Sequence, residues 1–221
     1  MKNHPWAVVC DFDGTATTED LADALSIRYA GYHRWKRAND AFHAGGISFE
    51  RLLREIFEPL EATAEEVRAF ALERARFRPG FERLVGLCRD RGHPFVLASG
   101  GLDIYIRPAL ELLPADLVEG LELRANTAQY VPGGLSLSFP YQHAAGACGT
   151  CGSCKGAIVR ELKEKGHSVI AVGDGNADRC MAGVADVLFA RGRLLEWCRG
   201  QGIACEQFDT LDVVADRIAR A

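Results

Sequence analysis

Ala7-Val8-Val9-Cys10-Asp11-Phe12-Asp13-Gly14-Thr15 is the stretch on which the reading of this chain turns. Four apolar residues end abruptly in acid, aromatic, acid and glycine. A short apolar run closed in this way reads as a buried strand whose carboxyl end opens into a site. Two carboxylates one residue apart at such an edge repel each other and resist burial, so their presence implies a task. Nucleophilic attack on phosphorus, with a magnesium ion bridging the charges, is a task that needs them.

Outward from this segment, further strand-like runs fall at 94–98, 121–126, 135–139, 168–172 and 186–189. Helical patterns separate several of them, which predicts an α/β fold with a Rossmann-like parallel-sheet core. Residues 17–77 break the alternation with helical patterns alone. Phe49, Leu52, Leu53, Ile56, Phe57 and Leu60 follow the helical rhythm of an apolar face, and Thr63 with Glu66 forms a capping box for the next helix. Pro79-Gly80 returns the chain to the core. The expected organisation is a core of residues 1–16 and 78–221, with a helical cap, 17–77, inserted after the first strand.

Two other strands also run into polar groups. Phe95-Val96-Leu97-Ala98 leads into Ser99-Gly100-Gly101, and Val169-Ile170-Ala171-Val172 leads into Gly173-Asp174-Gly175-Asn176, with Asp178 close behind. Lys155 opens the helix before that last strand. In a parallel sheet these positions converge on one edge, where small ligands bind. Singly, each has a plainer reading. Ser99 before two glycines is a turn serine, Lys155 is a solvated lysine, and Asp174 and Asp178 are acids near a helix start. Jointly, in this order, they form a set able to hold a magnesium ion and a phosphate.

The order and spacing of Asp11-Phe12-Asp13-Gly14-Thr15, Ser99, Lys155 and Gly173-Asp174 with Asp178 resemble the four motifs of the haloacid-dehalogenase-superfamily phosphatases, over nearly the whole chain. The resemblance implies that Asp11 attacks phosphorus and forms an aspartyl phosphate, and that Asp13 acts as acid and then base. It implies Mg²⁺ held by Asp11, Asp174 and the backbone carbonyl of Asp13, supported by Asp178. Ser99 and Lys155 would hold the phosphoryl group. Gly14 and Gly100 are read as sites where backbone N–H groups approach phosphate oxygens. Asp20 has two readings: the far end of a capping box begun by Thr17, or an acid at the cap entrance that shapes the substrate pocket.

Composition narrows the partners. A net charge of −4 gives no reason to expect nucleic acid or an anionic membrane, and no apolar run nears the ~20 residues of a membrane span. Met1-Lys2-Asn3-His4-Pro5 moves straight into the first strand without a signal peptide, so the expected setting is the cytoplasm. The expected partner is a small phosphorylated metabolite, and the oligomeric state is not legible.

Eight cysteines are present, and Cys148, Cys151 and Cys154 stand together in a run ending at Lys155. Two-residue spacings suit structural Zn²⁺, with His143 available as a fourth ligand; packed thiols or a disulfide are the alternative. A zinc-stabilised nucleic-acid module is the non-enzymatic reading, and the acidic balance disfavours it.

The position of the insert resembles the phosphoserine-phosphatase branch. That branch carries a cap arginine for the substrate carboxylate, and the equivalent position here falls near Ile56, with Arg54 close by. An apolar residue there disfavours phosphoserine. The cysteine run before Lys155 resembles two subfamilies: phosphatases of 2-hydroxy-3-keto-5-methylthiopentenyl-1-phosphate in methionine salvage, and phosphoethanolamine/phosphocholine phosphatases. Ser99-Gly100-Gly101 and Leu188-Phe189-Ala190-Arg191 favour the first, whereas Gly173-Asp174-Gly175-Asn176 and the nearby Cys180 are closer to the second. Trp35, Phe42 and Phe57 are candidates for an apolar pocket wall or for core.

Overall fold

A computed structural model of the chain describes residues 5–143, 147–148 and 151–220. The leading residues 1–4 and the pair Gly149-Thr150 within the cysteine run lie outside this set.

The strand Trp6–Asp11 (β1) forms because Ala7, Val8, Val9 and Cys10 all lose their solvent contact on the two faces of one sheet. Alternate residues go to opposite sides. Val8 and Cys10 join one core with Leu97, Ile170, Val172 and Phe189. Ala7 and Val9 join a second core with Val96, Ala98, Val169, Ala171 and Leu188. A strand buried on both faces must be central, and β1 is.

Among the described residues the sheet has seven strands, with β1 fourth in order. Beside β1 lie Phe95–Leu102 (β2) and Ser168–Gly173 (β5), both parallel to it, with Cys10 opposite Leu97 and Val172. Leu121–Val131 (β3) continues one side, and Val187–Ala190 (β6) and the two-residue Glu206–Gln207 (β7) continue the other. Gly134–Ser138 (β4) alone is antiparallel, folding back on β3 as a hairpin. The alternating pattern predicts the parallel strands; β7 is too short to leave a periodic signal.

Four helices fill the stretch after β1: Leu21–Tyr29 (α1), Tyr32–His43 (α2), Phe49–Phe57 (α3) and Ala64–Arg74 (α4). The Thr63–Glu66 capping box is present at the start of α4. An isolated antiparallel bridge joins Thr17 to Phe77, so the chain leaves and re-enters at one place. Phe81–Asp90 (α5), Asp103–Leu110 (α6) and Ala115–Glu119 (α7) follow, then Lys155–Glu164 (α8), Arg179–Ala182 (α9), Gly192–Gln201 (α10) and Asp212–Ala219 (α11). The face built by Val9 and Val96 carries α8, α9 and α10 through Ile158, Met181 and Leu194. The opposite face carries α5 and α11 through Leu84 and Val214, and its apolar cluster extends to Ile56 of α3 and Val67 of α4. No helix among the described residues is long and apolar enough to cross a membrane.

Candidate active site

Asp11 stands at the carboxyl end of β1 and is only 6% exposed. Lys155, the first residue of α8, is 2% exposed and reaches both Asp11 Oδ1 and Asp178 Oδ1. The other oxygen of Asp178 accepts from the backbone N–H groups of Asp174 and Gly175, each at 2.9 Å. Asp174 accepts from the Thr15 hydroxyl at 2.8 Å. Carboxylate oxygens of Asp11, Asp174 and Asp178 lie within 4.8 Å of one another.

Charge balance makes this cluster hungry for a cation. Three carboxylates face one ammonium. Burial and the neighbouring Asp178 charge raise the pKa of Asp11, against the opposing pull of Lys155. The same two causes, in the same order, raise Asp174. Burial acts to lower the Lys155 pKa, but Asp11 and Asp178 outweigh it and keep the ammonium charged. Hard carboxylate oxygens crowded to this degree fit magnesium in chemistry and number.

The side chain of Asp13 faces a different set of groups. Its Oδ1 accepts from the backbone N–H of Leu21 at 3.0 Å and of Ala22 at 3.3 Å. Its Oδ2 accepts from the Tyr105 hydroxyl at 2.8 Å and from Ser99 Oγ at 3.3 Å. Desolvation pushes its pKa up to about 6 despite these donors. A carboxyl group titrating there can give and take a proton near neutrality. Ser99 Oγ also accepts from Gly101 N–H at 2.8 Å, within the irregular stretch of β2 between Ala98 and Leu102.

Two glycines make this geometry possible. Gly14 has φ +75, and a Cβ there would lie 2.7 Å from Asp174 Oδ2. Its N–H donates to the Glu19 carbonyl at 3.2 Å, so the turn itself uses the group that the sequence reading assigned to phosphate. The Gly14 carbonyl is held by Arg78 at 2.7 Å and Arg191 at 2.9 Å. A Cβ on Gly101 would lie 1.6 Å from the Tyr105 hydroxyl, in the space the Asp13 partner occupies. Gly100 packs beneath the insert: a Cβ would lie 3.1 Å from the Phe49 ring.

Asp20 is the N-cap of α1 and accepts from Asp23 N–H at 2.8 Å. Thr17 instead donates its hydroxyl to the Phe12 and Glu19 carbonyls, so the two do not form the capping box the spacing suggested. Desolvation and the charges of Asp13 and Asp23 raise the Asp20 pKa, although the residue as a whole is exposed. Ile56 is 3% exposed in the core, and Arg54 pairs along its own helix with Glu50 and Glu58. Phe57 is core, Phe42 packs on Phe49, and Trp35 donates to Asp23 at 2.5 Å.

Sequence reasoning missed Tyr105, Thr15, Arg78 and Cys180 as members of this neighbourhood. Thr15 lies inside the first motif and was within reach. Tyr105 sits on an ordinary apolar helix face, where no local pattern marks it. The cysteine run needs one correction: the sulfur that joins Cys148, Cys151 and Cys154 is that of Cys180, and His143 is exposed and outside the group.

Residues 8–183 match the model of the haloacid dehalogenase-like hydrolase family, and the chain belongs to that family. It is a phosphoric monoester hydrolase of the phosphatase type. It is 28% identical to a 2-hydroxy-3-keto-5-methylthiopentenyl-1-phosphate phosphatase of Exiguobacterium sibiricum, over 96% of this chain and 95% of that one. It is 32% identical over 89% of its length to the bifunctional enzyme MtnB/MtnX of Bacillus licheniformis, of which it spans 45%. A phosphoserine phosphatase solved as a phospho-aspartyl intermediate analogue superposes with a TM-score of 0.71 at 21% identity, covering 97% of this chain and 99% of that one. That likeness is one of fold.

Proposed function

We propose that the chain hydrolyses 2-hydroxy-3-keto-5-methylthiopentenyl-1-phosphate, a methionine-salvage intermediate, through an aspartyl phosphate on Asp11. The observation that carries the reading is the meeting of two differently housed acids at one strand end. Asp11 lies against Lys155 and the acid cluster. Asp13, two residues on, is held by Tyr105, Leu21 and Ala22 with its pKa near 6.

Asp11 attacks phosphorus, and the bond to the leaving oxygen breaks as Asp13 delivers its proton there. Asp13 then takes a proton from the water that cleaves the acyl phosphate. Lys155 and Ser99 hold the phosphoryl oxygens, so charge repulsion against the dianionic ester falls. Asp11, Asp174 and the Asp13 carbonyl would hold Mg²⁺, with Asp178 fixing the loop behind them. When bound, the metal supplies further charge neutralisation at the phosphoryl group. The helical insert, 17–77, serves as a cap that excludes water during the first step.

The printed names of relatives at 28% and 32% identity support the salvage substrate. The buried Ile56 and self-paired Arg54 weigh against a substrate carboxylate and so against phosphoserine. A panel of the methylthiopentenyl phosphate, phosphoethanolamine, phosphocholine and phosphoserine, with and without Mg²⁺, tests the reading. Strong preference for the first ester supports it. Preference for an amino-alcohol phosphate moves the chain to the second subfamily.

A further inference from the structure

The sulfur cluster next to Lys155 takes part in no step of this chemistry. Cys148, Cys151 and Cys154 stand close together in sequence, and Cys180 comes from α9, 26 positions after Cys154. Their four Sγ atoms lie within 4.8 Å of one another, with 2.8 Å between Cys148 and Cys151 and 4.0 Å between Cys151 and Cys180. A tetrahedral zinc site with Zn–S bonds of about 2.3 Å has S···S edges of about 3.8 Å; the Cys151–Cys180 separation is close to that, and the Cys148–Cys151 pair opens by about 1 Å to receive the ion. Cys151, Cys154 and Cys180 also pack with Ala147 and Ala157 in a small apolar cluster, which accounts for their burial but not for four sulfurs meeting at one point.

The surrounding backbone also suits thiolates. Cys148 N–H donates to Cys154 Sγ at 3.2 Å, and Gly156 N–H donates to Cys180 Sγ at 3.3 Å. Hydrogen bonds donated to sulfur favour its charged form. A Cβ on Gly156 would lie 2.3 Å from the Cys180 carbonyl, so α8 and α9 approach this closely only because residue 156 is glycine.

The geometry points to a closed structural zinc site of four thiolates, Cys148, Cys151, Cys154 and Cys180, that ties the start of α8, which bears Lys155, to the segment bearing Asp178. Binding Zn²⁺ releases the thiol protons to solvent, with no redox change. Four protein ligands leave no open position, so the metal is structural. Soft sulfur and hard carboxylate sort the two metals, zinc to the thiolates and magnesium to Asp11 and Asp174. Cys154 is the N-cap of α8 and Cys180 lies in α9, immediately after the Asn176–Asp178 turn. The clamp therefore sets the distance at which Lys155 meets Asp178. The inference stands apart from the choice of substrate.

The test is metal content of the full chain, purified under reducing conditions without chelator, together with its absorption after cobalt replaces zinc. About one zinc per chain and thiolate-to-cobalt charge-transfer bands are expected. Cys180→Ser should lose most of the zinc and weaken those bands, whereas His143→Ala keeps both. The cobalt spectrum of the unmodified chain stands even if Cys180→Ser folds poorly. An unmodified chain that takes up neither zinc nor cobalt overturns the proposal. So does zinc that survives Cys180→Ser but is lost in His143→Ala. Mild chelation separates this inference from the phosphatase reading: it should remove magnesium-dependent turnover, restorable by Mg²⁺, while the zinc stays bound.

Discussion

Tyr105 and Asp13, separated by 92 positions in sequence, share a 2.8 Å hydrogen bond in a space kept open by Gly101. Tyr105 is fully buried, so its hydroxyl has little alternative to this partner. The bond aims one oxygen of the second acid while Leu21 and Ala22 hold the other. In the proposed mechanism Tyr105 is a positioning residue for proton transfer by Asp13.

Tyr105→Phe should slow hydrolysis of an alkyl phosphate by about tenfold, the worth of one such hydrogen bond, and slow p-nitrophenyl phosphate much less. The contrast arises because nitrophenolate leaves without a proton. Equal losses on both substrates, measured as kcat, would remove the positioning role.

Gly101→Ala should act through the same bond. Its Cβ must displace the Tyr105 ring, at a cost of roughly 1–3 kcal/mol in stability. Its effect on alkyl-phosphate turnover should resemble that of Tyr105→Phe, and the double variant should fall well short of the product of the two losses. Multiplicative losses would mean that the two residues act separately.

These relationships explain what could be read in advance. The central strands were legible because β1, β2 and β5 are buried on both faces and carry unbroken apolar runs. Asp11, Ser99 and Asp174 were legible because a parallel sheet brings the ends of its strands to one edge whatever the loops do, and Lys155 because it opens the helix before β5. Tyr105 was not, since its role depends on a missing Cβ at Gly101. Nor was Cys180 as the fourth sulfur, because the α8–α9 approach at Gly156 leaves no periodic trace. Asp20 misled by spacing: Thr17 spends its hydroxyl on Phe12 and Glu19, so the cap falls on Asp20 itself.

Gly14→Ala should weaken metal use more than folding. A left-handed residue with a Cβ costs roughly 1–2 kcal/mol. The added atom also falls 2.7 Å from Asp174 Oδ2 and must push that carboxylate away. The Mg²⁺ concentration for half-maximal phosphate release should rise by about 10–100-fold, with partial recovery at high Mg²⁺. An unchanged magnesium requirement would count against Asp174 as a ligand.

Arg124 on β3 grips Glu161 on α8, the helix that begins with Lys155. The Arg124 hydrogen bonds lower the Glu161 pKa from 4.5 to about 2. A depressed folded-state value means that the pair stabilises the protein above pH ~4.5 and loses this contribution as pH falls toward ~2. Glu161→Gln should therefore melt below the parent by a constant margin between pH 5 and 7, and the margin should shrink below about pH 4. A margin independent of pH would show that the pair's charge is irrelevant.

Asp11 as nucleophile is the claim on which the mechanism rests. Its most direct test is peptide mass spectrometry after acid-quenching the Asp13→Asn variant during turnover of p-nitrophenyl phosphate with Mg²⁺. Loss of the base for the second step should let the acyl phosphate accumulate, so the account predicts a phosphoryl group on Asp11, and none when Asp11→Asn is added. A phosphoryl group on another residue, or nitrophenol release by a folded Asp11→Asn variant at a rate near the parent's, would contradict it.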